Sequence, residues 1–270
     1  LKKSRAFLKW AGGKYTLIEK IRYHLPEGET LIEPFVGAGS VFLNTDYERY
    51  ILADINQDLI SLFKTIKHTP QKFINDAKLL FTANNNQESA FYQFRQLFNQ
   101  SKDPYQRSLL FLYLNRHCFN GLCRYNNSGE FNVPFGKYQK IYFPEKEIIF
   151  FSEKAKKAKF ICANYHKVMK QAKKGSVIYC DPPYEPLTYS ANFTTYYKNG
   201  FNQQDQKRLA ILAEKIAAKS SIPVLISNHD TENTREWYKK AKIHHVETRR
   251  SISCYGQSRK KIQELLVLYQ

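Results

Sequence analysis

Acidic side chains are scarce in this 270-residue sequence: 24 Asp and Glu stand against 42 Lys and Arg, leaving a formal net charge of +18. A field of that size attracts polyanions and releases counterions from a phosphate backbone on contact, so nucleic acid is favoured as a partner over a charge that only confers solubility. Cysteine is sparse as well. The five present, Cys118, Cys123, Cys162, Cys180 and Cys254, are odd in number and form no C-x-x-C pair. That excludes a disulfide-stapled scaffold and fits thiols used as small core residues in a reducing compartment. No apolar run approaches a bilayer crossing, and the opening Leu-Lys-Lys-Ser-Arg carries no apolar signal region, so a cytoplasmic protein is expected. What remains is globular in composition, with 43% hydrophobic and 15% aromatic residues, enough for one large core with a smaller module attached.

The basic excess is uneven. Charges balance over the first 60 residues, and the surplus is carried by the rest, densely so between 146 and 180. Short apolar runs bounded by turn residues predict buried parallel strands at Thr30 to Glu33, Tyr50 to Ala53, Val177 to Cys180 and Pro223 to Ser227. Helical patterns alternate with them at Ser40 to Thr45, Asp58 to Lys67 and Gln203 to Lys219. This rhythm predicts an α/β domain with an open twisted sheet, whose ligands lie beyond the carboxyl ends of its strands. Between about Leu59 and Phe143 the rhythm gives way to consecutive amphipathic stretches, Ala90 to Phe98 and Gln106 to Asn115, which predict a helical insert. Cys123 to Tyr142, with Asn126-Asn127-Ser128-Gly129 inside it, reads as a β-hairpin, and Asn84-Asn85-Asn86 as a flexible linker.

Three motifs carry chemistry. The first strand runs into Glu33-Pro34-Phe35-Val36-Gly37-Ala38-Gly39-Ser40, a Gly-x-Gly turn that lets backbone approach a ligand, and the next strand ends in Asp54, placed to receive two ribose hydroxyls. Phe42 stands where a dinucleotide site wants a third glycine, so a nucleoside cofactor is expected and a nicotinamide one is not. In Trp10-Ala11-Gly12-Gly13-Lys14 the earlier glycine of a phosphate loop is missing and no Ser or Thr follows the lysine, so this segment reads as an aromatic, a turn and a cation able to meet a carboxylate. The sharpest signal is Asp181-Pro182-Pro183-Tyr184, directly after a buried strand. Two prolines fix the backbone and remove two donors, leaving a carboxylate, carbonyl acceptors and an aromatic face. That set suits an exocyclic amine: accepting its hydrogens at Asp181 and the Pro182 carbonyl frees the delocalised nitrogen lone pair for attack, with Tyr184 stacked on the base. His244-His245 has no partners at metal spacing, and no metal site is expected.

Together, FLKWAGGK (7 to 14), EPFVGAGSVFLN (33 to 44), NRHCFNGLCRYN (115 to 126), FNVPFGKY (131 to 138) and DPPY resemble the Dam-type DNA adenine methyltransferases acting on GATC, the α group of amino-methyltransferases, over nearly the whole chain. The resemblance implies a Rossmann-like methyltransferase sheet with an inserted helical DNA-recognition domain carrying a β-hairpin. Residues 1–56 and 144–270 would form the catalytic domain and 57–143 the recognition domain. It implies S-adenosylmethionine as methyl donor, held by Trp10 to Lys14, Pro34, Phe35, Gly37, Gly39, Ser40, Asp54, Ile55, Tyr165 and Asp181, and double-stranded DNA as substrate, and a monomeric enzyme is expected. An adenine N6 inside the duplex is reached only after the base is rotated out. The resemblance assigns the gap to Phe119 aided by Asn120, although tyrosine is the family's residue at the former position and a residue smaller than Cys118 precedes it. Arg124 would read a guanine and Lys9 the outer guanine, with Leu122 and Pro134 in apolar contact and Tyr138 nearby, whereas hairpin packing accounts equally for Leu122 and Pro134. Arg95, Arg116, Asn126, Asn132 and Lys137 would contact phosphates.

Two further segments are expected to serve DNA: a lid at Thr188 to Phe201, and basic clusters Arg249-Arg250 and Arg259-Lys260-Lys261 flanking a hairpin. Methylation of cytosine N4 uses the same turn and stays open as an alternative, as does an inactive DNA-binding regulator on the same fold. Cytosine C5 chemistry is disfavoured, because no Pro-Cys nucleophile occurs.

Overall fold

A computed structural model describes residues 3–186, 201–249 and 261–270. Of the expected lid at Thr188 to Phe201, all but Phe201 lies outside the described residues, as do residues 250–260, which hold Arg250, Arg259 and Lys260 of the expected basic clusters. Seven strands, β1 (Thr30–Glu33), β2 (Arg49–Asp54), β3 (Ala158–Cys162), β4 (Ser176–Cys180), β5 (Val224–His229), β6 (Lys242–Arg249) and β7 (Lys261–Tyr269), form one sheet in the order β3-β2-β1-β4-β5-β7-β6. The pairs β3-β2, β2-β1, β1-β4 and β4-β5 are parallel, and β7 is antiparallel between β5 and β6. Strand order reverses between β1 and β4, which opens a crevice at their carboxyl ends.

Ten α-helices accompany the sheet: α1 (Ile18–His24), α2 (Ser40–Asn44), α3 (Gln57–His68), α4 (Pro70–Lys78), α5 (Glu88–Gln100), α6 (Pro104–His117), α7 (Glu145–Ala155), α8 (Tyr165–Met169), α9 (Gln203–Ser220) and α10 (Glu232–Trp237) among the described residues. The two-residue period of the strands divides the core. Leu31, Leu52, Val177, Tyr179 and Leu225 face one cluster with α1, α3, α7 and the insert, while Ile32, Ala53, Ile178, Cys180 and Ile226 face the other with α8, α9 and α10. Cap chemistry sets the helix starts. Asn56 accepts from the Leu59 N–H at α3, Asp103 precedes Pro104 at α6, and Asn202 with Asp205 closes a capping box at α9. In α6 every residue from Leu110 to Asn115 is buried, which makes it the central helix of the insert.

The four expected strands and the expected helices are present, each within two residues of its expected bounds. The hairpin is shorter than expected: a turn in which the Asn126 N–H donates to the Glu130 carbonyl and the Asn132 N–H to the Arg124 carbonyl, with isolated bridges Tyr125–Phe131 and Cys118–Phe135 in place of a continuous ladder. Pro134 has no N–H with which to extend it. Asn84 to Asn86 is no free linker. The Asn85 side chain donates to the Leu79 and Leu80 carbonyls, that of Asn86 to the Tyr138 carbonyl, and the Asn85 carbonyl accepts from the Tyr113 hydroxyl. The insert shares its core with the sheet, because Phe63 of α3 packs on Phe151 and Phe160 while the same apolar cluster continues through Phe111 and Phe131.

Candidate active site

Three neighbouring strand ends meet at the crevice. Beyond β1, the Val36 N–H donates to the Ala53 carbonyl and turns the chain, so that the Gly37 N–H donates to Asp54 Oδ2 at 3.2 Å while the Asn56 N–H donates to Oδ1 at 2.9 Å. Burial outweighs these bonds and pushes the Asp54 carboxyl up to about 6. Gly37 has φ of 46° and lies against Trp10; a Cβ there would stand 2.8 Å from the indole nitrogen. Phe35 stacks on Tyr165 with ring centroids 5.4 Å apart, and Phe201 meets both edge-on, which makes an aromatic wall beside the carboxylate. Pro34 and Gly39 are buried, Ala11 and Ser40 are partly buried, and Gly12, Gly13 and Ile55 are exposed around this crevice. An aromatic wall, a buried carboxylate on adjacent backbone and a turn too tight for a side chain fit a nucleoside with two ribose hydroxyls.

The turn after β4 lies one strand away. Lys14 is buried, and its ammonium contacts Asp181 Oδ1 at 2.7 Å, the Gly12 carbonyl at 2.6 Å and the Tyr184 ring at 4.5 Å from its centroid. The carboxylate that the glycine-lysine segment meets is thus the protein's own. Ser227 Oγ donates to the same Oδ1 at 3.1 Å. Among the described residues no donor reaches Asp181 Oδ2 or the Pro182 carbonyl. Burial raises the Asp181 carboxyl, and Lys14 and Ser227 oppose that rise. The rest of the turn is tied down: the Pro183 carbonyl accepts from Gln206, the Tyr184 hydroxyl donates to Glu264 at 2.8 Å, and the Glu185 N–H donates to Asn228. Buried Glu185 also receives Gln203 and Asn233 on its carboxylate.

A second group gathers where the start of the chain crosses the end of α6. Lys9 and Asn115 exchange two hydrogen bonds, and the Lys9 ammonium lies 3.8 Å from the centroid of the Tyr138 ring. Burial and Arg116 lower the Lys9 pKa. The following 3₁₀ turn, Phe119–Gly121, holds Phe119 half exposed, at 50%, on a rigid base: its N–H donates to the Pro134 carbonyl, and the Asn120 N–H donates to the Tyr138 hydroxyl. Gly121 has φ of 63°, and a Cβ there would fall 2.1 Å from Lys9 Cβ. Arg124 is exposed, its guanidinium steadied by the Asn132 side chain at 2.8 Å and carbonyl at 3.3 Å. Pro134 and Lys137 are also exposed, and Arg95 donates to the Val133 carbonyl.

The profile of the D12 class N6 adenine-specific DNA methyltransferases matches residues 10–252. The chain belongs to this family. A "DNA adenine methylase" of Serratia marcescens is 58% identical over 270 residues, covering 100% of both chains. One from Escherichia coli (strain K12) is 58% identical over 100% of this chain and 97% of its own, and one from Vibrio cholerae serotype O1 is 57% identical with the same coverage. Family membership decides for adenine over the cytosine alternative and for an enzyme over an inactive regulator.

In this D12 methyltransferase several residues expected to touch DNA are engaged internally. Arg116 is half-buried, donates to the Phe7 carbonyl and lies over Tyr142. Both ends of the Asn126 amide are taken by its own turn, through Ser128, Glu130 and the Glu130 carboxylate. Leu122 is half-buried and packs on the core. Cys118 is buried, donates to the Leu122 carbonyl and has its thiol pushed up to about 12, so it fills space. Sequence reasoning missed Glu33, Glu185, Asn228 and Glu264. Glu33 is buried beside Asp181, with its carboxyl well above the ordinary range and Oε1 without a partner. The signal for Asn228 was present, since Ser227-Asn228-His229 ends an apolar strand in polar residues. No helix among the described residues is long and apolar enough to cross a membrane, and no group of three or more His, Cys, Asp or Glu there is placed to hold a metal ion.

Proposed function

We propose that the enzyme transfers the methyl group of S-adenosylmethionine to N6 of an adenine rotated out of duplex GATC, acting as a cytoplasmic monomer with residues 57–143 as its recognition unit. One observation carries this reading: Lys14 and Ser227 occupy Asp181 Oδ1, leaving Oδ2 and the Pro182 carbonyl as adjacent acceptors for the two hydrogens of an exocyclic amine. The donor supplies an electrophilic methyl carbon when bound. Asp54 would accept its ribose hydroxyls, Phe35 and Tyr165 would line its base, and Trp10 and Gly37 would shape the turn between them. At the amine, Asp181 and Pro182 would draw the nitrogen toward sp³ geometry, so its lone pair can form the N–C bond as the donor's S–CH3 bond breaks and its electron pair leaves on sulfur as S-adenosylhomocysteine. Asp181, whose upward shift on burial Lys14 opposes, is placed to take the proton that N6 then loses. Tyr184 supplies the aromatic wall, and Pro183, held by Gln206, fixes the turn.

Phe119 stands out from a turn with little freedom, which suits an aromatic that fills the gap left by the extruded base. Arg124, steadied by Asn132, and Lys9, steadied by Tyr138, are the proposed base readers; Asn120 and Pro134 adjoin them, and Arg95 and Lys137 lie at phosphate positions. Arg124→Ala should lower discrimination by about 1–3 kcal/mol at a single base pair. Methylation rates on duplexes carrying one substituted pair each would show this as a position-specific effect, and a uniform loss at every position would demote Arg124 to a phosphate contact.

Asp54 gives a pH signature. Hydroxyl donors favour the ionised carboxylate, so cofactor binding should pull its pKa below the free-enzyme value of about 6 and release a proton at pH 5.5. Affinity for S-adenosylhomocysteine should rise from pH 5 to 7 and then level, and Asp54→Asn should flatten the profile; calorimetry in buffers of different ionisation heat measures both. The reading as a whole is tested with labelled S-adenosylmethionine and duplexes containing GATC or a scrambled site. Label should appear as N6-methyladenine in the GATC duplex alone, and label at another base, or in both duplexes equally, would contradict it.

A further inference from the structure

The amino ends of β3, β2, β1 and β4, opposite the edge that carries the catalytic turn, frame an open groove of about 730 Å³. Its lining holds eight lysines and arginines and a single carboxylate, Glu29, which pairs with Arg49 at 2.7 Å. Lys64, Lys159, Lys173 and Lys174 are exposed, and among the described residues none has a carboxylate within ion-pair distance. This is where the basic surplus of residues 146 to 180 collects, and the catalytic reading makes no use of it.

Distance separates the groove from the site. Ser176 lines it, whereas Asp181 lies five residues further along β4, about 16 Å at the rise of a parallel strand. A straight duplex seated on the catalytic edge therefore leaves the groove free. We infer that the groove is a second polyanion surface that holds the phosphate backbone of another segment of duplex DNA. The size agrees: Lys159 on β3 and Lys173-Lys174 before β4 are separated by three strand spacings, about 14 Å, close to the roughly 12 Å width of a major groove. The chemistry agrees too. Lysines are hydrated point charges that bind phosphate without reading bases. None of the large exposed apolar side chains of the described residues lines the groove, so it lacks the anchors of a membrane-surface site.

The test uses the full chain and the variant K64Q/K159Q/K173Q/K174Q, which alters exposed side chains only. Enzyme is loaded on an immobilised duplex with one GATC site in the presence of S-adenosylhomocysteine, and a fluorescent duplex without the site is added. The unaltered enzyme should retain the second duplex and the variant roughly tenfold less, with retention falling as salt rises. In a parallel assay with S-adenosylmethionine in place of S-adenosylhomocysteine, both should methylate the first duplex at equal rates. No retention, or equal retention by both, would overturn the inference, as would slower methylation by the variant, which would assign the groove to the catalytic duplex. Retention of polyglutamate or single-stranded RNA in preference to the duplex would overturn it in favour of an acidic protein or RNA. Should the enzyme retain the second duplex yet fail to methylate GATC, the proposed reaction falls and the groove stands.

Discussion

Asp181→Ala is expected to lower the rate of methyl transfer by about a thousandfold while leaving duplex binding nearly intact, because the carboxylate is proposed to act on the amine and not on the DNA backbone. Two effects combine. The amine loses an acceptor that draws it toward its reactive geometry, and the buried Lys14 ammonium loses its partner, keeping only the Gly12 carbonyl among its polar contacts. Removing one member of a buried pair costs about 3–5 kcal/mol when the other stays charged, so the variant's stability must be measured beside its rate. Lys14→Gln separates the two effects. It leaves the acceptor in place but removes the cation that opposes the upward shift of Asp181, so that carboxyl rises further and the acid limb of the pH–rate profile moves to higher pH. Single-turnover methylation from pH 5.5 to 8.5, at saturating cofactor, reads both variants; full activity of Asp181→Ala would remove the turn from the mechanism.

Gly121→Ala should be the most damaging small substitution on the DNA side. Its φ of 63° strains any side chain, and the added Cβ meets Lys9 Cβ at 2.1 Å, an atom fixed to the main chain and unable to swing aside. Together these cost about 2–4 kcal/mol and lower the melting temperature by roughly 4–15 °C. Gly129→Ala is the control, with a comparable φ of 79° and nothing within 4 Å. It should show the conformational penalty alone, about 1 kcal/mol. The Gly121 variant should also lose site discrimination, since Lys9, Phe119 and Asn120 all hang on the displaced turn. Equal melting temperatures for the two variants would show that the contact relaxes freely.

Much of this was legible because the sequence places its chemistry where two local signals coincide. Val177 to Cys180 is apolar enough to be a buried strand and stops at an acidic proline pair, so the strand and the turn proposed to be catalytic could be named together. Glu33-Pro34 to Ser40 is similar, with glycines whose backbone demands are local. The missed strands lacked such coincidence. In β3, Lys159 breaks a five-residue edge strand, and in β6 His, Glu and Lys alternate with few apolar residues. In β7 the run Leu265 to Leu268 is buried on both faces and has no period to distinguish strand from helix.

The site's supports were hidden for a different reason. Ser227, Asn228 and Glu264 reach Asp181, Glu185 and Tyr184 only through sheet pairing between β4, β5 and β7, and no local pattern encodes which strands become neighbours. The same holds for Lys14 and Asp181, two motifs far apart in sequence whose pairing appears only in three dimensions. Spacing also could not distinguish Arg124, which is exposed and braced, from Arg116, which is drawn inward by the Phe7 carbonyl and Tyr142.

The most direct test is a structure of the enzyme with S-adenosylhomocysteine and a GATC duplex. The account predicts the target adenine outside the helix, its N6 within hydrogen-bond reach of Asp181 Oδ2 and the Pro182 carbonyl, and Phe119 in the vacated space. An adenine still stacked in the duplex, or a flipped base whose amine meets neither acceptor, would contradict it.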